Sequence, residues 1–204
     1  MFRQDEFESK KGMKEPISLF RQLFEEELKV TPVKIPSACC FTSIGLDGFP
    51  NSRFVSCKEI IGNSFIITGS KTARKGQEVE KNNKVSLAFW WTSTHVQVRI
   101  QGVIEELDSS YSHRYFQERN RESQAVSIVS AQGEGLQDLA ELEEAYTALL
   151  QQYEGKALPT PASFAAWVVQ PFRIEFLLFS EARFHERILF EWENGAWSSS
   201  KLKP

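Results

Sequence analysis

Along the chain, apolar residues switch between a period of two and a period near 3.6, and the switches mark the elements. "EPISLFRQLFEEELK" carries Ile17, Phe20, Leu23, Phe24 and Leu28 at helical spacing, with Pro16 suited to a first turn. "SACCFTSIGLDGFPNSRFVSCKEI" predicts two strands around a turn rich in Gly45, Asp47, Gly48 and Pro50, a β-hairpin. "GNSFIITG" adds a strand, and "KTARKGQEVEKNN" a short helix closed by Asn82 and Asn83. "KVSLAFWW" and "HVQVRIQGVIEEL" predict a second hairpin. In the latter, Val96, Val98 and Ile100 alternate with His95, Gln97, Arg99 and Gln101, so one face is core and the other can wet or bind.

From about 108 to 154 the period is helical, and Leu136, Leu139, Leu142, Tyr146 and Leu149 form a stripe that reads as core packing. After the loop "GKALPTPAS", three strands are expected in "AAWVVQPFRIEFLLF", "ARFHERILFEW" and "GAWSSSKLKP". A leading helix, about five strands, a helical insertion and three more strands predict a mainly β, α+β chain. Hairpin neighbours favour an antiparallel small barrel or folded sheet with flanking helices. Residues 15–204 read as one domain, and the charged, unpatterned residues 1–14 as a mobile segment.

Composition narrows the partners. The formal net charge of −3 speaks against nucleic acid, which needs a basic surface, and favours a small anion bound at local basic clusters. No apolar run approaches a membrane span, and the first residues lack a signal-peptide pattern. Three cysteines, Cys39, Cys40 and Cys57, give neither a disulfide framework nor a zinc pattern, so reduced thiols in a cytoplasmic protein are expected and no metal site is.

The chemistry-bearing residues are mostly cations. Arg53 and Lys58 end one strand, five apart, and point to opposite faces unless a bulge intervenes. Arg74 and Lys75 sit at a helix start, where an anionic ligand would relieve cations placed against the positive helix end; a solvated charged helix start is the plainer reading. Tyr115, Arg119 and Ser123 recur every four residues and share a helix face, either as a phosphate clamp or as an ordinary polar surface. On a strand, Arg183, His185 and Arg187 would share one face, which is either solvated or the seat of a flat anion.

Taken in order, "SRFVSCK", "TARKGQE", "VSLAFWW", "VQVRIQG", "YFQERNRESQ" and "IEF…ARFHER" resemble the pyridoxine/pyridoxamine 5′-phosphate oxidases, from about Glu15 to Pro204. The resemblance implies an FMN-binding split β-barrel of antiparallel Greek-key type, and a homodimer with FMN at its interface. It implies transfer of a hydride from the C4′ carbon of a phosphorylated pyridine substrate to the flavin, which oxygen reoxidises to give hydrogen peroxide. Carried over by position, Arg53, Arg74 and Lys75 hold the FMN phosphate and Ile67, Thr68, Gln97 and Arg187 contact the flavin. Gln132 adds a contact from across the interface. Lys58, Tyr115, Arg119 and Ser123 grip the substrate phosphate, with Lys58 also counted among the cofactor contacts. Arg183 and His185 flank the pyridine ring as the catalytic pair. The chain departs from the family at Leu177 and Leu178, where a Trp and a polar residue usually stand. A related oxidase of phenazine-precursor type, and a non-catalytic FMN- or pyridoxal phosphate-binding protein, remain the alternatives.

Overall fold

The computed structural model describes residues 15–204; the segment 1–14, expected to be mobile, lies outside the described residues. Helix α1 (Pro16–Val30) leads into β1 (Ala38–Ile44), β2 (Pro50–Ser56), β3 (Glu59–Ile61) and β4 (Ser64–Ser70). Helix α2 (Arg74–Lys81), β5 (Lys84–Trp91) and β6 (Val96–Glu106) follow, then helices α3 (Ser109–Gln117), α4 (Arg121–Val129) and α5 (Leu139–Gln152). The chain closes with β7 (Phe164–Leu178), β8 (Glu186–Glu193) and β9 (Ala196–Leu202).

Among the described residues, nine strands form one antiparallel sheet in the order β2-β1-β5-β6-β7-β4-β3, with β8 and β9 continuing from β7. The two ends of that path, β2 and β3, are separated in the chain only by Cys57 and Lys58. Seven flat strands would hold those edges on the order of 30 Å apart, far beyond what two residues span. The sheet therefore curls into a half-barrel, and Lys58 sits at its seam. The long β7 makes this possible, pairing β4 through Phe164–Val169 and β8 through Arg173–Leu178.

Helix α1 plugs the curled sheet. Its Phe20 ring lies 4.9 Å from Phe65, 5.0 Å from Phe89 and 5.2 Å from Trp91, centroid to centroid. Buried Glu27 fastens the helix by accepting from the Thr94 amide and hydroxyl, each at 2.9 Å. A second core lies on the other side of β4 and β7, where Ile66, Phe164 and Ala166 meet Tyr115, Phe116 and Ala125 of α3 and α4. Because β4 is covered on both sides, Phe65, Ile66 and Ile67 are all buried, a continuous apolar run instead of an alternation.

Three expectations need correction. β3 is a separate short strand, since Cys57 and Lys58 interrupt the run at the seam. The leucine stripe of α5 is not core: no residue of that helix is buried, and Leu136 and Leu139 are exposed. Helix α5 lies outermost and covers only the rim of the second core through Tyr146, Leu149 and Leu150. Finally, β8 starts at Glu186, so Arg183 and His185 are not on a strand. The segment before it folds back on itself, with the Arg183 amide donating to the Ser180 carbonyl at 3.0 Å and Arg183 at φ 61°. The Ser180 amide in turn donates to His185 Nδ1 at 3.1 Å. The expected row of three basic side chains is thus broken, and only Arg187 belongs to the sheet.

Candidate active site

The seam brings distant cations together. A cavity of about 690 Å³ is lined by Lys58 from the β2–β3 link, Thr68 and Gly69 from β4, Lys75 from α2, and Arg119 and Ser123 at the α3–α4 corner. Ser70, Ser127, Ser130, Ser163 and Gln132 add hydroxyl and amide groups. Lys58 reaches this cavity from the two-residue link that follows β2, which ends at Ser56.

No carboxylate pairs with Lys58, Lys75 or Arg119 among the described residues. Desolvation lowers the pKa of all three, and repulsion from Arg119 lowers both lysines further, as does Arg53 for Lys75. The Arg119 Nε is buried without a partner, while its Nη2 donates to the Ser123 carbonyl at 3.2 Å and its guanidinium lies 5.3 Å from the Phe164 ring centroid. Three desolvated, mutually repelling cations walled by hydroxyls match a phosphate-bearing ligand, whose oxygens accept charge-assisted bonds.

Lys75 reaches the cavity over Gly69. A Cβ at Gly69 would stand 2.4 Å from Lys75 Cε, so only glycine lets the side chain cross β4 there. Its Nζ donates to Gln132 Oε1 at 2.9 Å, so Gln132 meets Lys75 of its own chain.

The other phosphate candidates are spoken for. Arg53 donates from Nη2 to Glu78 Oε2 at 2.7 Å and from Nη1 to Ser43 Oγ at 2.6 Å and the Asn51 carbonyl at 2.9 Å. Arg74 donates to Glu78 at 3.0 Å and to Asp47 at 2.7 Å. Burial pushes the Glu78 carboxyl up, but bonds from Ser43, Asn51, Arg53 and Arg74 outweigh it and hold the pKa at about 2. Arg53 and Arg74 are therefore compensated and lie outside the cavity lining. Tyr115 is buried, with its hydroxyl joined to Glu59 and Arg114. Ile67 is buried whole in the core and does not line the cavity.

The remaining candidates lie on the outer sheet face. Trp90, Gln97, Leu177 and Arg187 are cross-strand neighbours on β5, β6, β7 and β8. Gln97 and Trp90 line a smaller hollow of about 280 Å³ with Cys40 and Phe54, and Phe54 also borders the cationic cavity. Arg187 is bound to Glu175. Beside the row, Phe179 packs edge-on against Trp90 at 4.9 Å and at a tilt against His185 at 4.7 Å. Because the Ser180 amide donates to Nδ1, neutral His185 carries its proton on Nε2. Arg183 is exposed and has no ion pair among the described residues.

Within one chain, then, Lys58, Thr68, Lys75, Arg119, Ser123 and Gln132 converge on the cavity. Gln97 and Arg187 share the outer face, with Arg183 and His185 at its edge. Ser70, Ser127, Ser130 and Ser163 are invisible to sequence reading, because isolated serines carry no spacing signal. The Arg74–Glu78 pair had one, its separation of four on a helix. No group of His, Cys, Asp and Glu suited to a metal occurs among the described residues.

Comparison with known proteins gives the same picture. Residues 24–177 match the family model described as pyridoxamine 5′-phosphate oxidase. A pyridoxine/pyridoxamine 5′-phosphate oxidase of Leptospira biflexa is 34% identical over 190 residues, 93% of this chain and 89% of the relative. One of Myxococcus xanthus is 33% identical, over 93% and 92%. The crystal structure of PhzG from Burkholderia lata, in complex with tetrahydrophenazine-1-carboxylic acid, matches with a TM-score of 0.89 at 28% identity, over 95% of this chain and 94% of that one. An FMN-binding protein of Nostoc punctiforme shares the fold, with a TM-score of 0.75 at 12% identity over 92% and 96%. With sequence matched along nearly its whole length and the curled sheet matched as well, this chain belongs to the pyridoxamine 5′-phosphate oxidase family and is an oxidase of that type.

Proposed function

We propose that the protein oxidises pyridoxine 5′-phosphate and pyridoxamine 5′-phosphate to pyridoxal 5′-phosphate with oxygen as acceptor, using FMN, in the cytoplasm. The observation that carries this reading is the set of three cations without a carboxylate partner in one cavity. Its volume suits a small ligand, and the orphaned Arg119 Nε supplies a donor for an anion. These groups fit a phosphate of FMN and a phosphate of the substrate.

When bound, FMN would supply the two-electron redox chemistry that couples oxidation at the substrate's C4′ carbon to reduction of oxygen to hydrogen peroxide. The residues do the rest. Lys75, with Thr68 and Gln132 beside it, holds the cofactor phosphate. Lys58, Arg119 and Ser123 hold the substrate phosphate, which orients the pyridine ring. Arg53 and Arg74 act by framing the wall that carries Lys75, since Glu78 and Asp47 together neutralise them. His185 offers its Nε2–H to the substrate ring, and Arg183 covers that ring from the turn.

A second copy of the chain completes the site by placing its Gln97 and Arg187 face against the cavity. Exposed Phe54, Trp90, Phe179 and Phe184, on and beside that face, support a homodimer.

The test is to load purified protein with FMN and follow peroxide with pyridoxamine 5′-phosphate and with pyridoxamine. Peroxide from the phosphorylated amine alone is expected. Equal turnover of both, or none with either, contradicts the reading. Leu177, smaller than the family's Trp, favours one second reading, a bulkier ring system like the tetrahydrophenazine held by PhzG. Preferential turnover of a reduced phenazine carboxylic acid would establish it.

A further inference from the structure

Glu175 is 6% exposed on β7 and lies two residues before Leu177, on the same face as the Gln97–Leu177–Arg187 row. Its Oε1 accepts from Arg187 Nε at 2.9 Å and from Arg187 Nη2 at 2.6 Å. Its Oε2 accepts from Arg99 Nη1 at 3.2 Å. The remaining Arg187 nitrogen, Nη1, donates to the Lys203 carbonyl at 3.2 Å. Every nitrogen of this guanidinium is thus tied before any ligand arrives. One hydrogen on each Nη is left to point elsewhere.

We propose that Glu175 is a positioning residue that presents Arg187 to the flavin; this rests on the reading of Arg187 as a flavin contact. An arginine near the start of a strand has many rotamers, and a ligand that had to collect it would bear the entropy of ordering it. The paired bonds from one carboxylate oxygen to Nε and Nη2 fix the guanidinium plane beforehand. They also offset part of its charge, the one buried carboxylate being shared between Arg99 and Arg187. Arg187 therefore acts as an oriented donor more than as a free positive charge, unlike Lys58, Lys75 and Arg119. Glu175 itself touches no ligand in this scheme.

The test is a double-variant cycle on FMN affinity, read by quenching of flavin fluorescence on titration with apoprotein. Arg187→Met is expected to raise the FMN Kd about tenfold, the loss of one charge-assisted contact. Glu175→Gln keeps the side-chain shape but weakens the grip, and is expected to raise Kd a few-fold, with Glu175→Asp as a second variant should the glutamine not fold. The decisive result is non-additivity: Glu175→Gln combined with Arg187→Met binds FMN no more weakly than Arg187→Met alone. Additive effects, or wild-type affinity in Glu175→Gln beside a weakened Arg187→Met, overturn the positioning role while leaving the cofactor reading intact. Unchanged affinity in Arg187→Met overturns the flavin assignment of Arg187, and the positioning role with it. Failure of the wild-type protein to bind FMN overturns the proposed function itself.

Discussion

The cavity at the seam and the outer sheet face both carry arginines or lysines, yet they treat them oppositely. In the cavity, Lys58, Lys75 and Arg119 are desolvated without a carboxylate partner, and their pKa values fall. On the sheet face, Arg99 and Arg187 share buried Glu175, and along the barrel wall Arg53 and Arg74 share buried Glu78. Uncompensated cations destabilise the fold and attract an anion; compensated ones stabilise the fold and set geometry. The difference separates a binding charge from a structural one, which counting basic residues cannot do.

Removing single cations should break the comparison most visibly. Arg119→Met is expected to lower kcat/KM for pyridoxamine 5′-phosphate roughly 10- to 100-fold, the worth of a charge-assisted contact, while the melting temperature of the unliganded protein holds or rises. Arg53→Met should do the reverse to stability, lowering the melting temperature because buried Glu78 loses a partner. Calorimetry and steady-state kinetics on the two variants check both statements.

Gly69→Ala sharpens the role of Lys75. The added methyl meets the flexible end of Lys75, so the fold should survive while Lys75 is displaced. FMN affinity is expected to fall several-fold, about 1 kcal/mol, with the melting temperature within a few degrees; fluorescence titration and thermal melts check it.

Two smaller effects follow from pH. The lysine pKa values are depressed, so Lys58 and Lys75 lose their charge at a lower pH than the ordinary lysine value of 10.5. Affinity for FMN should therefore decline as pH rises, beginning below that value, and Lys75→Arg should abolish part of the decline; titration from neutral to alkaline pH checks it. Glu78 has the opposite sign. Its folded pKa of about 2 lies below the ordinary 4.5, so its stabilisation is present above 4.5 and is lost as pH falls towards 2. The stability advantage of wild type over Glu78→Gln should shrink across that window in denaturant melts.

Much of the fold is legible in the sequence because it is local. The α1 stripe, the β1–β2 hairpin with its glycine turn, α2 ending at Asn82 and the alternation of β6 all follow from spacing within a dozen residues. The turn before β8 is not legible, since it depends on Ser180 closing on His185 and on Arg183 adopting positive φ, which a bulky side chain rarely does. The α5 stripe misleads because an amphipathic helix shows the same spacing whether it meets a core or only its rim. At the site, the clustering of Lys58, Lys75 and Arg119 follows from the curl that joins β2 to β3, a global property. Compensation beyond the local Arg74–Glu78 pair is equally non-local: Glu78 lies 25 residues from Arg53, and Glu175 lies 76 from Arg99.

The most direct test places both halves of the comparison on one variant, Lys58→Met, by measuring its melting temperature without ligand and its KM for pyridoxamine 5′-phosphate. An unpaired binding cation predicts an unchanged or higher melting temperature with KM raised about tenfold or more. A lower melting temperature with an unchanged KM would contradict it and return Lys58 to a purely structural role.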